Sequence, residues 1–276
     1  MLRPEDYFDL DGFFHKALFD GVEYVWQVLP GIKSYIKDTI KPNIEGLCKK
    51  GPLSSTVVLY QGEVIEQGFT IEEGDVTKKK MKVFHEGHEL KGASVIYAGA
   101  VLFDESVELG EGSVIEPGAL VKGPTIIGSC TEVRQGAYVR GACIVGSQCV
   151  VGHTTEIKSA VMLNRAKAGH FAYLGDSILG NEVNLGAGTK LANLKMTETE
   201  VVLKVNRKPL PTGLRKFGAI LGDHVQMGCN SVTSPGTLLG KSSFVYPNVA
   251  VLPGVYPGLS RIYYDRPIIS LEEGKG

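Results

Sequence analysis

The sequence predicts an all-β fold, a parallel β-helix shaped as a prism of short strands. A large apolar residue recurs at every sixth position, in the series Tyr97, Phe103, Leu109, Ile115, Val121, Ile127, Val133, Val139, Val145, Val151, Ile157 and Leu163. Small residues recur four positions later, and the chain contains 35 glycines, which turns favour. Neither a helix nor simple strand alternation keeps a six-residue phase for so long. We expect each hexapeptide to form one side, and three sides to complete a coil of about eighteen residues.

Four segments follow from this pattern. Residues 1–50 are expected to form a helical N-terminal region, 51–92 a short β segment or linker, 93–260 the β-helix, and 261–276 a C-terminal tail. Within the β-helix, residues 195–218 carry prolines and charges without the six-residue phase. We therefore expect a loop there that is ejected from the prism.

The N-terminal region is expected to contain two helices. Apolar residues from Leu10 to Leu29 fall at three- and four-residue spacings, as one helix face requires. Pro30-Gly31 is expected to stop this helix, and a second helix is expected from Ile32 to near Pro42. The apolar face could be a binding surface, but packing against the rest of the chain is the preferred interpretation.

The strands and breaks of the repeat come next. In the β segment, strands are predicted at residues 56–60, 64–65, 69–71 and 81–84. The repeat then breaks at Gly169-His170, where the inward position holds no aliphatic side chain. Four residues, 175–178, are interpreted as an addition before the phase returns at Leu179, and the repeat resumes from Leu221 to Val251 after the loop.

Composition and charge limit the classes of function. The 29 lysines and arginines against 30 aspartates and glutamates give a net charge of −1, which provides no general field for nucleic acid or an anionic membrane. No uncharged run approaches the ~20 residues of a membrane span, and the first residues lack the apolar core of a signal peptide. The five cysteines show neither zinc-ligand spacing nor a disulfide framework. We expect reduced thiols, no metal site and a cytoplasmic protein.

Three motifs carry polar residues that a prism does not need. They are Val151-Gly-His-Thr-Thr-Glu-Ile-Lys158, Ala168-Gly-His-Phe-Ala-Tyr-Leu-Gly-Asp176 and Val183-Asn-Leu-Gly-Ala-Gly-Thr189. Together with the repeat, they resemble the acetyltransferase domain of the bifunctional uridyltransferase/glucosamine-1-phosphate acetyltransferase (GlmU), within the hexapeptide acyltransferase superfamily. The resemblance implies a left-handed β-helix, a homotrimer, and acetyl-CoA bound between adjacent prisms. Uridyltransferase activity is not expected, because no Gly-x-Gly-Thr-Arg loop occurs and residues 1–92 are too few for that domain.

The same resemblance implies the chemistry of the site. His170 matches the catalytic histidine, which would take a proton from a sugar amine as the amine attacks the thioester. Arg140 and Lys158 match the residues that bind the phosphate of the substrate. Tyr173 and Asn184 match residues that hold the sugar ring.

Four further positions are carried over, and the segment after one of them departs from the family. Asn193 matches the asparagine that closes the site, and Lys216 matches a lysine brought from another part of the trimer. Ala187 and Cys229 are expected to line the acetyl-CoA cleft. The family's Tyr-Asp-Gly after the asparagine is Leu194-Lys195-Met196 here, and the connection to the lysine is longer. We expect this loop to be mobile without ligand and to cover the acceptor, whose identity stays open.

Two classes of function are compatible with these features. The first is a trimeric N-acyltransferase for an amino-sugar phosphate or sugar nucleotide, or an acyltransferase for another amine or hydroxyl. The second is a non-catalytic trimeric partner or regulatory subunit of a separate sugar-phosphate nucleotidyltransferase in UDP-N-acetylglucosamine biosynthesis. Singly, His170 could be a hydrogen-bonded structural residue, Arg140 and Lys158 surface charges, and Asn184 a rung of an asparagine ladder. Docking needs none of the first three, so their joint presence favours the enzyme.

Overall fold

The computed structural model describes residues 2–48, 51–205 and 207–264. These residues form a three-sided parallel β-helix, preceded by a helical N-terminal region and a short β segment. The predicted fold class, an all-β parallel β-helix of hexapeptide repeats, is confirmed. Its left-handed sense stays a prediction from the resemblance. Residues 265–276 of the predicted C-terminal tail lie outside the described residues.

The N-terminal region contains the helices α1 (Pro4–Tyr7) and α2 (Val28–Thr39), with 3-10 turns at Lys16–Phe19 and Val25–Gln27. The predicted single helix from Leu10 to Leu29 is therefore wrong. Pro30 and Gly31 lie in the first turn of α2, where the N–H groups have no intrahelical acceptor and proline costs no hydrogen bond. The apolar spacing was produced by side chains that pack from irregular segments, which a helical pattern does not distinguish.

The short β segment contains two small antiparallel units. Its strands are β1 (Val57–Tyr60), β2 (Glu63–Ile65), β3 (Phe69–Glu72), β4 (Lys82–His85) and β5 (His88–Glu89). β1 pairs antiparallel with β2 and with the first strand of the β-helix, so this hairpin covers an edge that would otherwise be free to pair with another chain. The other three strands form a separate sheet.

Three parallel sheets form the sides of the β-helix. The first sheet contains β6 (Ser94–Ile96), β9 (Val114–Ile115), β12 (Glu132–Val133), β15 (Val150–His153), β18 (Lys167–His170), β21 (Asn184–Leu185), β26 (Gln226–Met227), β29 (Phe244–Val245) and β32 (Arg261–Ile262). The second contains β7 (Val101–Leu102), β10 (Leu120–Val121), β13 (Tyr138–Val139), β16 (Glu156–Lys158), β19 (Tyr173–Gly175), β22 (Lys190–Leu191), β27 (Val232–Thr233) and β30 (Ala250–Val251). The third contains β8 (Val107–Leu109), β11 (Thr125–Ile127), β14 (Cys143–Val145), β17 (Ala160–Met162), β20 (Ile178–Leu179), β25 (Ala219–Leu221), β28 (Thr237–Leu239) and β31 (Gly254–Tyr256).

The inward columns follow the predicted repeat from Leu109 to Ile157, but the prediction is wrong at both ends of that run. At the start, Ile96 and Leu102 are fully buried in the core, one position before the predicted Tyr97 and Phe103. At the end, the inward residue is Met162 and not Leu163, because Val145 pairs with Met162. Leu163 is buried on the outside of the prism instead.

The interpretation of residues 175–178 as an addition is also wrong. Two sides of the prism are one residue shorter than the repeat, from Ile157 to Met162 and from Leu174 to Leu179. Only Ser159 separates β16 from β17, so the corner itself has been shortened. The six-residue phase is reset by these shorter corners without an insertion.

The outer face of the third sheet is covered by its own chain. Trp26 and Ile32 from the N-terminal region pack with Ile144, Val161 and other third-sheet residues in one buried cluster. The preferred interpretation of the N-terminal apolar residues, packing against the rest of the chain, is confirmed. We call the covering residues 2–40 the N-terminal wrap. Burial of Trp26, which is 1% exposed, removes a large apolar area from water and holds this wrap against the third sheet.

Residues 195–218 leave the β-helix and include a hairpin. Its strands are β23 (Val202–Val205) and β24 (Lys208–Pro211). Val201 and Leu203 are each 1% exposed and belong to the cluster over the third sheet. This packing anchors the hairpin beside the N-terminal region, and the expected mobility of residues 195–215 stays a prediction.

Candidate active site

A charged cluster lies on the outer face of the second sheet. Ile157 points into the core, so its neighbours Glu156 and Lys158 on β16 point outward. The next coil places Tyr173 in register with Glu156, also facing outward. Parallel stacking therefore brings a carboxylate, an ammonium group and a phenol from two coils onto one surface.

Two ion pairs hold the predicted phosphate-binding residues. Arg140 Nη1 donates a hydrogen bond to Glu156 Oε1 at 2.7 Å, and this bond raises the pKa of the guanidinium. Lys158 Nζ donates to Asp176 Oδ2 at 3.0 Å, with side chains 18% and 15% exposed. The pair of Lys158 is the more shielded from solvent, since the side chains of Arg140 and Glu156 are 44% and 33% exposed. Both cations are thus oriented before any substrate arrives.

Tyr173 and Asn193 extend the cluster toward the next corner of the prism. The Tyr173 hydroxyl donates to Asn193 Oδ1 at 3.3 Å, and Asn193 Nδ2 donates to Asp176. Burial raises the pKa of Tyr173, the nearby carboxylates of Glu156 and Asp176 add to the rise, and the neighbouring cations oppose it. The phenol therefore stays protonated at neutral pH and can donate a hydrogen bond to a ligand.

His170 lies at the corner between the first and second sheets. It ends β18 in register with His153 one coil earlier, and its side chain is exposed. The inward position of this coil is occupied by Ala168, so the expectation that Gly169-His170 fills that position is wrong. Among the described residues the His170 imidazole has no hydrogen-bond partner, which argues against a structural, hydrogen-bonded histidine.

Phe171 is an unusual residue at this corner. Its backbone adopts the left-handed conformation with φ of 51°, which is uncommon for a bulky side chain. Its ring is 54% exposed and lies 5.5 Å from the centre of His153 and 6.2 Å from that of His170. His153 Nδ1 lies 2.9 Å from the Gln135 carbonyl oxygen. The corner therefore presents one tethered and one untethered imidazole around an exposed aromatic ring.

The two residues predicted to line the acetyl-CoA cleft continue the same corner. The Gly188 N–H donates to the His170 carbonyl at 3.0 Å, and the Asn230 N–H donates to the Ala187 carbonyl at 2.8 Å. Cys229, which is exposed, therefore stands one coil beyond Ala187 and two beyond His170. His170, Ala187 and Cys229 therefore form one column along the prism axis.

Asn184 and Lys216 are placed differently from the rest. Asn184 is exposed on the first sheet in register with Lys167 and Gln226, so it faces away from the second-sheet cluster and forms no asparagine ladder. Lys216 is bridged to Leu194 of its own chain, beside the site of Asn193. One chain thus brings together Arg140, Lys158, Tyr173, Asn193 and Lys216, but it leaves Asn184 on the other face.

Sequence reasoning did not assign roles to Glu156, Asp176 or Phe171. Glu156 pairs with Arg140, and Asp176 pairs with Lys158. Each carboxylate lies on the coil that follows its cation. Pairing opposite charges at the eighteen-residue coil spacing would have found the Lys158–Asp176 pair. It would have missed Arg140 and Glu156, which lie 16 residues apart. No sequence signal indicated the conformation of Phe171.

The described part of the chain shows no group of three histidine, cysteine, aspartate or glutamate side chains that could hold a metal ion. Within the same residues, none of the helices combines the length and the apolar character that crossing a membrane requires.

Comparison with known proteins identifies two related groups. A family described as the GMPPB C-terminal domain matches residues 121–239. A bifunctional sugar-1-phosphate nucleotidylyltransferase/acetyltransferase from Sulfurisphaera tokodaii is 40% identical over 101 residues, which are 37% of this chain and 25% of that protein. The bifunctional protein GlmU of Listeria monocytogenes is 24% identical over 84% of this chain and 54% of its own length. The resemblance to GlmU is confirmed, and the chain spans between a quarter and about half of these relatives.

Among solved structures, a UDP-N-acetylglucosamine acyltransferase from Campylobacter jejuni is 17% identical, with a TM-score of 0.28 over 62% of this chain and 68% of that one.

Proposed function

We propose that this chain is an acetyl-CoA-dependent N-acyltransferase that acts on an amino sugar carrying a phosphate, either a sugar 1-phosphate or a sugar nucleotide. The observation that carries the proposal is the convergence of Arg140, Lys158 and Tyr173 on one face, next to a corner that holds the untethered His170. The curated relatives, one of which is called a nucleotidylyltransferase/acetyltransferase, support the acyl-transfer half of this activity.

In the proposed reaction His170 acts as the general base. The amine nitrogen of the sugar attacks the thioester carbonyl carbon, and the C–N bond forms as His170 accepts a proton from the amine. The tetrahedral intermediate then collapses, the C–S bond breaks, and the sulfur leaves with a proton as free coenzyme A. An exposed imidazole suits this role, because histidine is the side chain that most often serves as a general base in enzymes.

The charged cluster would position the acceptor. Arg140 and Lys158 would exchange part of their contact with Glu156 and Asp176 for contacts with phosphate oxygens, which charge-assisted hydrogen bonds favour. Tyr173 would donate to a hydroxyl of the sugar ring, while Ala187 and Cys229 would line the track of acetyl-CoA. Asn184 lies on the outer face of the first sheet. In a homotrimer it would therefore reach the substrate of a neighbouring subunit.

A second function is supported by one observation. One related protein is called a bifunctional sugar-1-phosphate nucleotidylyltransferase/acetyltransferase, and this chain matches 25% of its length. The chain would then be a trimeric partner of a separate nucleotidyltransferase, with its hairpin and N-terminal wrap as docking surfaces. This function needs neither the His170 imidazole nor the paired cations.

One experiment separates the two functions. Purified protein is incubated with acetyl-CoA and glucosamine-1-phosphate, or a nucleotide-linked amino sugar, and free thiol is measured. The enzyme hypothesis expects thiol release that requires the acceptor. It also expects Arg140→Ala to raise the acceptor KM, while Arg134→Ala, which removes a similar arginine paired with Glu132, leaves the KM unchanged. Absence of thiol release with every amino-sugar phosphate tested would favour the partner hypothesis.

A further inference from the structure

A groove continues from the charged cluster around the corner between the second and third sheets. It has a volume of about 330 Å³ and lies between the start of α2, the stem of the hairpin and the β-helix. Its polar lining includes Lys33, Ser159, Asp176, Arg215 and Lys216. A volume of this size falls within the range of ~300–1,000 Å³ that is usual for small-molecule sites. The groove is large enough for a phosphate group with part of a nucleoside.

The groove is positively charged although the whole chain has a net charge of −1. Three cations line it, and Asp176, the one carboxylate among its described lining residues, is already paired with Lys158. Lys33 and Lys216 form no ion pair among the described residues, and Arg215 has only a mostly exposed contact of 3.4 Å with Glu198. These cations therefore have no strong partner to give up when an anion binds, which lowers the cost of binding.

Asp176 connects the groove to the candidate active site. It lines the groove, accepts the hydrogen bond of Lys158 and accepts another from Asn193. A ligand whose first phosphate contacts Lys158 can therefore place its next phosphate at the mouth of the groove. A sugar 1-phosphate carries no second phosphate that could occupy the groove.

We infer that the groove binds the second phosphate of a nucleoside diphosphate, so that the acceptor is a nucleoside diphosphate-linked amino sugar and not the sugar 1-phosphate. This inference rests on the proposed acyltransferase function. It gives the N-terminal region a direct part in the site, because Lys33 lies on α2. In this inference Lys216 contacts the ligand bound by its own chain, and not the ligand of a neighbouring subunit.

Binding of inorganic pyrophosphate to the full chain tests the groove without any catalysis. Isothermal titration at low ionic strength is expected to show binding that Lys33→Ala weakens about threefold and Lys33→Ala with Lys216→Ala about tenfold, since exposed charges contribute modestly. Lys37→Ala is the matched control, because Lys37 is exposed one turn further along the same helix and does not line the groove. Added salt should weaken binding to the parent protein more than to the double variant.

The kinetic arm compares two acceptors. The nucleoside diphosphate-linked amino sugar is expected to be the better acceptor of the parent protein, and an equal or better kcat/KM for the amino-sugar 1-phosphate would overturn the inference. Lys33→Ala is expected to raise the KM for the nucleotide-linked acceptor about threefold and to leave any residual reaction with the 1-phosphate unchanged. Pyrophosphate binding that is absent, or equal in the Lys33→Ala and Lys37→Ala proteins, would overturn the inference. If pyrophosphate binds as expected but no acceptor yields free thiol, the groove stands and the acyltransferase function fails.

Discussion

Lys158 and Asp176 form an ion pair of 3.0 Å between adjacent coils, and both side chains are less than one-fifth exposed. The carboxylate also accepts a hydrogen bond from Asn193, so it fixes two predicted substrate-binding residues at once. Asp176 itself adopts the left-handed conformation, with φ of 46°. A substitution that tests only the charge of Asp176 must therefore introduce a residue that also tolerates the left-handed conformation.

Asp176→Asn is expected to lower the free energy of unfolding by about 1–2 kcal/mol, because Lys158 loses its partner at a partly buried position. Glu182→Gln is the control, since Glu182 is also left-handed, with φ of 59°, but pairs with Arg165 at a more exposed position. That control should change stability by less than about 0.5 kcal/mol. Urea unfolding measures both, and equal effects would contradict the role given to Asp176.

His170→Ala is expected to reduce turnover by about 10²–10⁴-fold, the usual contribution of a positioned general base. Acetyl-CoA binding, measured by titration calorimetry, should stay unchanged because the imidazole does not hold the thioester. His153→Ala provides the comparison, since it removes the neighbouring imidazole of the same corner. Retention of full turnover by His170→Ala would show that another group takes the proton.

Stability is expected to fall as the solution is acidified, through His15. Burial lowers the pKa of His15, which lies among Phe13, Phe14 and Tyr35. The folded state then binds its proton at lower pH than the unfolded state, whose histidine has a pKa of about 6.5. The contribution of His15 is complete above that value and is lost as pH falls from it toward the folded-state pKa, by at most about 1.4 kcal/mol per pH unit.

Urea midpoints at about pH 7.5 and about pH 5.5 measure this effect on either side of the unfolded-state pKa. His15→Phe should remove most of the difference between the two midpoints. A difference of the same size in the variant would assign the acid sensitivity to other groups.

The N-terminal wrap is expected to be a stabilising part of the fold. Trp26 is 1% exposed, stacks on Tyr24 at 4.7 Å and lies 6.2 Å from Phe217. Trp26→Ala should lower the free energy of unfolding by about 3–5 kcal/mol, the usual cost of removing a large buried aromatic ring. Phe14→Ala should have an effect within about 0.5 kcal/mol, because Phe14 is 86% exposed. Denaturant unfolding of the two variants makes the comparison.

The chain is expected to be a homotrimer in solution, because Asn184 is separated from Tyr173 within one chain and would complete the site of a neighbour. Light scattering should give three times the 29.7 kDa of one chain. A Tyr173→Phe protein mixed with an Asn184→Ala protein should recover part of the activity if sites are shared between subunits. A monomer that retains full activity would contradict the shared site.

The six-residue period was enough to predict the β-helix and its inward column from Leu109 to Ile157. It could not predict Met162, because a corner shortened by one residue changes which side chain faces inward without changing the composition. The N-terminal helices were misplaced for a related reason. Apolar spacing records that a segment is buried, and Pro30 can begin a helix as readily as it can end one.

For the site, the resemblance to GlmU supplied His170, Arg140 and Lys158, and the structure brings the two cations to the face that adjoins the histidine corner. The resemblance could not supply Asp176, whose importance depends on two contacts made across coils. The Lys33 groove was equally hidden, since it joins α2 to a β-helix corner more than a hundred residues later in the chain.

The wrapped third sheet also limits how copies of this chain can assemble. If all three sides of a prism could bind other copies, association would not stop at a fixed number of subunits. Each added copy would bring two further sides able to bind. Among the described residues, one side already carries Trp26 and Ile32 of the same chain, which leaves two unlike sides for contacts between copies. Two unlike sides allow a head-to-tail contact that closes on itself after a fixed number of copies. Covering the third sheet with Trp26 and Ile32 therefore removes one of the three sides from contacts between copies.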